Sequence, residues 1–177
     1  MSRVHRYALV LCLYLNTRGC SFVLFEASLA PYDWGAFEVR GEMKHRRSLQ
    51  KIDKLINRYL PDVLVMQDMG PNGTRRAERL ELLNGAIVEL AARLQIPVFS
   101  YSRAEVYAAF QPYGLTNKPM LAELIAKHIP AFERRVPPPR KPWMSEDARM
   151  SLFDAAALGL VFFQKAGTDQ KEGRNLS

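Results

Sequence analysis

Gly73-Thr74-Arg75-Arg76, with Arg79 one turn further on, sets three guanidinium groups at the start of a long helical pattern. Planar guanidinium forks and the unpaired amides of a helix N-terminus both suit phosphate oxygens, so this segment is a candidate contact for a polyanion. The competing reading has these arginines solvated, or paired with Glu78 and Glu81 along the helix. Arg140 and Lys141 form a second basic pair inside the stiff stretch VPPPRKPW at 136–143, which either fences a cleft or is a plain linker. Trp143 at its end reads as a core anchor or, alternatively, as a platform on which a base stacks.

Other chemistries are excluded by their missing signatures. His5, His45 and His128 share no ligand spacing, and the chain has no P-loop glycine motif, no CxxC pair and no GxSxG elbow. Cys12 and Cys20 sit in apolar runs and are expected to be buried, reduced thiols. Lys and Arg number 25 against 18 Asp and Glu, a net charge of +7, which suits a polyanionic partner such as nucleic acid. No apolar run approaches the roughly 18 residues that span a bilayer, so no membrane partner and a cytoplasmic address are expected.

The elements that must position these groups follow from apolar periodicity. Runs at 7–15 (YALVLCLYL) and 20–26 (CSFVLFE) flank the turn Asn16-Thr17-Arg18-Gly19 and read as a hairpin, with a third short strand at 36–40. Leu49, Ile52, Leu55 and Ile56 recur at helical spacing until Pro61 interrupts them. An unalternating apolar strand at 62–66 follows, then a helix over 74–94 and a strand over 96–99. Ser102 is placed to cap a helix ending near Phe110, and Thr116 one ending near His128. Ser145, with Glu146 and Asp147 in the first turn, is placed to open a last helix ending near Phe163. This order predicts an α/β fold whose mixed five-stranded sheet, three antiparallel strands then two parallel, is covered by helices on both faces. A single domain is expected over 1–164, with 165–177 as a disordered tail.

That element order, the phrase Tyr59-Leu60-Pro61-Asp62 leading into the fourth strand, and Phe153-Asp154-Ala155-Ala156-Ala157 in the last helix together resemble the RuvC family of Holliday junction resolvases. The resemblance spans nearly the whole chain and implies a ribonuclease H-like fold. It also implies that acidic residues from the ends of strands one and four and from the last helix meet to hold two magnesium ions, which stabilise the attacking and leaving oxygens of a phosphodiester. Asp154 matches the last-helix ligand. The first-strand position falls on Tyr14, or on Asn16 if the turn is aligned differently, and the fourth-strand position falls on Gln67, followed by Asp68. Ser151 stands one turn before Asp154. Asp147, two turns before it on the expected helix, would lie roughly 10 Å away. Lys118, in Gly114-Leu115-Thr116-Asn117-Lys118, resembles the lysine of a loop that the resolvases place near the scissile strand.

The resemblance therefore implies candidate catalytic residues Asp154, Asp68, Gln67, Asn16 and Asp147, with Asp154 and Asp68 as metal ligands for Mg2+ held weakly or not at all. Candidate nucleic-acid contacts are Arg75, Arg76, Arg79, Lys118, Arg140 and Lys141. Two functions follow. One is a magnesium-dependent, structure-selective endonuclease acting on branched or duplex DNA in recombination, as a homodimer whose two sites are related by a twofold axis. The other is a non-catalytic DNA- or RNA-binding or assembly module whose metal centre has decayed. Both require Asn16, Gln67 or Asp68, and Asp154 to be neighbours in space.

Overall fold

Two apolar runs joined by a tight turn form the middle of the sheet in the computed structural model, which describes residues 7–69 and 75–172, the side chains of 75–77 and 167–172 excepted. β1 (Val10–Leu15) and β2 (Gly19–Ala27) pair antiparallel, from Leu15 opposite Cys20 to Val10 opposite Phe25. Asn16 makes the turn: its Oδ1 accepts from the backbone N–H groups of Arg18 and Gly19, each at 2.9 Å. Gly19 is required by packing, since a Cβ there would lie 1.9 Å from the carbonyl oxygen of Phe37 on the next strand.

That strand, β3 (Ala30–Glu38), pairs antiparallel with β2 and starts earlier than the expected 36–40. It contains Pro31, Asp33 and Gly35, residue types that are rare inside strands, yet an edge strand with one unpaired side tolerates all three. α1 (Lys44–Tyr59) leads to β4 (Val63–Gln67), and α2 (Arg75–Arg93) leads to β5 (Val98–Tyr101). Both later strands are parallel additions, β4 on β1 and β5 on β4, giving the order β3-β2-β1-β4-β5. The mixed sheet anticipated from the sequence is thus observed.

α3 (Arg103–Phe110), α4 (Lys118–His128) and α5 (Met150–Glu172) complete the chain, with short 3-10 segments at Gln111–Tyr113 and Pro130–Arg135. Alternation along the strands sends Val10, Cys12, Val63 and Val65 to the face covered by α3, α4 and α5, and Leu11, Leu13, Leu64 and Met66 to the face covered by α1 and α2. Both cysteines are buried and free, and burial pushes the Cys20 thiol up to about 12. Among the described residues no helix is long and apolar enough to cross a membrane.

Four expectations are corrected. Ser102 does cap α3, accepting from the N–H of Glu105, but α4 is capped by Asn117 and not by Thr116: Asn117 Oδ1 accepts from Met120 N–H at 3.1 Å. Ser145, Glu146 and Asp147 precede α5 and do not form its first turn; Asp147 closes a local turn in which its Oδ1 accepts from Arg149 N–H at 2.9 Å. Trp143 is 78% exposed and is no core anchor. α5 runs to Glu172, so the expected tail at 165–177 begins inside this helix, and 173–177 lie outside the described residues.

Candidate functional site

A cavity of about 410 Å³ opens where the β1–β2 hairpin, the start of α4 and the start of α5 converge. Tyr14 reaches it from β1. Ser21 reaches it from the opposing position of β2, the partner of Tyr14 in the antiparallel register. Lys118 enters from the first residue of α4, Glu146 from the segment before α5, and Ser151 and Asp154 from the first two turns of α5.

Charge in this cavity is organised around one lysine. Lys118 Nζ lies 2.5 Å from Glu146 Oε1 and 3.4 Å from Asp154 Oδ2. Asp154 is only 12% exposed, and its Oδ2 accepts no hydrogen bond among the described residues; the contact with Lys118 has ion-pair distance without hydrogen-bond geometry. Burial disfavours the carboxylate, Lys118 opposes that effect and Glu146 adds to it, so the Asp154 pKa is pushed up to about 6. Burial works against the Lys118 charge too, but Asp154 and Glu146 outweigh it and hold its pKa above the ordinary lysine value. Tyr14 is pushed up to about 12, first by burial and then by the Asp154 charge, so it is a neutral hydroxyl at pH 7.

Hydroxyl groups fill the floor. Ser151 Oγ donates to the carbonyl of Ala148 at 2.9 Å and lies 2.5 Å from Ser21 Oγ. With the Ser151 proton so committed, Ser21 is the donor in the serine pair.

The residues singled out from sequence divide into three groups. Asn16, Lys118, Asp147 and Asp154 line this one cavity. Asn16 Oδ1 is already committed to two turn amides, and Asp147 is held by Arg149, whose guanidinium donates to both carboxylate oxygens at 2.9 and 2.7 Å. Those bonds from Arg149 hold the Asp147 pKa down at about 2. Gln67 ends β4 on the sheet face that carries Val63 and Val65, the face of Tyr14, but is not part of the lining. Asp68 is exposed just beyond that strand, and its N–H donates to Tyr101 O at 2.9 Å.

The basic candidates spread more widely. Arg79 lies in a separate cavity beside α1 and α2, with His45, Leu80 and Leu83. The side chains of Arg75 and Arg76 lie outside the described residues. Arg140 borders a groove that also contains Lys118, Glu146 and Asp147, and donates to Met144 O at 3.0 Å, while the Lys141 ammonium sits 5.3 Å from the Trp143 ring centre. Sequence reasoning did not single out Arg18, Arg40 and Lys44, which gather at a hollow next to the main cavity. Nor did it give a site role to Glu146 and Ser21. Hairpin register was the available signal for Ser21, a buried polar residue opposite Tyr14.

A pair of divalent ions needs several converging carboxylates. Among the described residues no group of three or more His, Cys, Asp or Glu side chains is placed to hold a metal ion. Asp147 is bound by Arg149, Asn16 by the turn, and the space between Glu146 and Asp154 contains an ammonium. This donor set does not fit a two-ion centre.

No protein-family model matches the chain. It is 30% identical over 120 residues to the crossover junction endodeoxyribonuclease RuvC of Paenarthrobacter aurescens (strain TC1), an overlap that takes in 67% of this chain and 57% of that relative. The chain thus matches little more than half of the relative's length. In three dimensions it is similar to Thermus thermophilus RuvC in complex with a Holliday junction substrate, with a TM-score of 0.69, 14% identity, and coverage of 92% of this chain and 97% of that one. A second structure of Thermus thermophilus RuvC gives a TM-score of 0.62 at 14% identity, covering 89% and 95%.

Proposed function

Because this chain is RuvC-like in sequence and has the ribonuclease H-like fold of RuvC, we propose that it is a Holliday junction resolvase-like protein that binds branched DNA through the face carrying Asp154. The observation that carries the reading is the convergence of β1, α4 and α5 on one cavity, with Arg18, Arg40, Lys44 and Arg140 around it. Guanidinium and ammonium groups positioned beside a cleft neutralise phosphates and fix the register of a duplex. The unit that binds is a single domain that includes the whole of α5, acting as a homodimer because a four-way junction offers two equivalent faces. A cytoplasmic setting in DNA recombination agrees with this, as do the free thiols.

In this proposal the metal centre is degenerate, and binding does not depend on Mg2+. Lys118 offsets part of the charge of Glu146 and Asp154 at the cavity, and the neutral Tyr14 hydroxyl is an uncharged donor beside them. A second reading, a metal-dependent endodeoxyribonuclease, is favoured by one observation: the buried Asp154 Oδ2 has no hydrogen-bond partner among the described residues.

Fluorescence anisotropy with a four-way junction and a linear duplex of equal length, in EDTA and in Mg2+, tests the first reading. Binding is expected to be tighter for the junction by about tenfold, a difference of about 1.4 kcal/mol, and indifferent to EDTA. Equal affinity for both DNAs, or no binding to either, overturns it. Incubation of the same DNAs with Mg2+ or Mn2+ tests the second reading: nicking abolished in Asp154→Asn establishes cleavage, and intact DNA rejects it.

A further inference from the structure

We infer that the Lys118 ammonium is the resident cation of this cavity, filling the place between acidic side chains that a divalent ion would need. Its Nζ sits between two carboxylates from different parts of the chain, Glu146 at 2.5 Å and Asp154 at 3.4 Å. This is the position of a shared counter-ion. The lysine is delivered there by rigid local structure: Asn117 caps α4, Pro119 lies in the first turn, and Lys118 is the first helical residue between them.

A cation in the first turn of a helix opposes the helix dipole, so this location is unfavourable unless carboxylates hold the charge. Only 24% of the side chain is exposed, so the ammonium is largely withdrawn from water. The neighbouring positions carry hydroxyls in place of further acids, Tyr14 from β1 and the Ser21–Ser151 pair beneath. Asp147, the remaining lining acid on the α5 side, is already bound at both oxygens by Arg149. Two carboxylates and one ammonium leave a single net negative charge, weak attraction for a dication, and an incoming ion would meet a like charge at contact distance. The protein has thus replaced an exchangeable metal by a covalently attached cation.

The inference concerns the cavity alone and does not rest on DNA binding, so it is tested without DNA. Mn2+ is titrated into 15N-labelled wild-type protein, Lys118→Met, and the double variant Lys118→Met/Asp154→Asn, and paramagnetic broadening of the backbone amides from Ser151 to Asp154 is followed. The wild type is expected to show no selective broadening there. Lys118→Met, which frees both carboxylates, is expected to broaden these amides at Mn2+ concentrations lower by about tenfold or more, the scale on which a changed neighbour shifts metal affinity. The double variant returns to wild-type behaviour. Selective broadening in the wild type overturns the inference, and so does a Lys118→Met variant that gains no affinity. If Lys118→Met does not fold, Lys118→Gln replaces it under the same criterion: a gain in Mn2+ affinity supports the inference and no gain overturns it.

Discussion

Burial of Asp154 ties the stability of the fold to pH in an unusual direction. Its folded pKa is about 6, against 3.8 ordinarily, so the folded state holds a proton over an interval in which the unfolded chain has released it. Stability from this group is therefore fully present below pH 3.8 and lost as pH rises through about 6. At 1.36 kcal/mol per pH unit the effect amounts to about 3 kcal/mol. Asp147 acts oppositely and in another window: its folded pKa of about 2 gives stability that is present above 3.8 and lost as pH falls through 2. Urea unfolding of the wild type and Asp154→Asn at pH 4, 5, 6 and 7 separates the two. The wild type is expected to lose ground relative to Asp154→Asn between pH 4 and 7, and parallel curves reject the assignment. At this scale the sequence disclosed the acidic residue but not its surroundings. Asp154 stood out as the retained acid in FDAAA, whereas its neighbour Glu146 is eight positions away and was placed in the wrong element. Ion pairs between segments joined by irregular chain depend on loop geometry, which periodicity does not encode.

α5 is the element on which the site depends, because it carries Ser151 and Asp154 and also packs on β1 and β2. Ala155, Ala156 and Ala157 are fully buried, and Gly159 faces the sheet so closely that an added Cβ would stand 2.5 Å from a ring carbon of Phe25 and 2.8 Å from Cys12 Sγ. Phe25 and Cys12 are themselves fully buried and have no room to withdraw. In an exposed helix, Gly→Ala would stabilise by up to about 1 kcal/mol. Here Gly159→Ala is expected to destabilise by about 2 kcal/mol through overpacking, read as a lower urea midpoint at unchanged slope; a higher midpoint would show that the helix is free to lift. The hairpin, α1, β4 and α2 were legible in the sequence to within a few residues, because each has a long apolar period bounded by Pro, Gly or a turn. β3 was cut short, because an edge strand with Pro31 and Gly35 lacks that signal. The α5 boundary was set too early, because Ser145-Glu146-Asp147 has capping composition while Asp147 in fact closes a turn ahead of the helix.

For the whole molecule the question is whether the net charge of +7 is a general solubilising excess or a directed surface. The fold favours a directed one: Arg18 and Arg40 flank the same end of the β2–β3 ribbon, where Gly19 pairs with Glu38, Lys44 comes from the start of α1, and Arg140 from the proline-rich stretch, and all border the Asp154 cavity or its adjoining hollows. The Arg40–Glu38 pair, with Arg40 90% exposed, does not withhold that arginine, since surface pairs of this kind contribute little. In the proposed DNA complex, counterion release would make the affinity for duplex arms fall with salt at a slope of about −0.9 per phosphate neutralised. If all four of these groups engage phosphates in the proposed DNA complex, log Kd is expected to change with log salt at a slope of about 4. Arg18→Ala/Arg40→Ala is expected to lower that slope by about 2 and to weaken binding to junction and duplex alike, because phosphate contacts carry no sequence information. Lys54, on α1 and outside these cavities, is the control: Lys54→Ala is expected to leave the slope unchanged. Equal changes in both variants would mean that the charge acts as a diffuse field, and the cavity would then lose its claim to orient DNA.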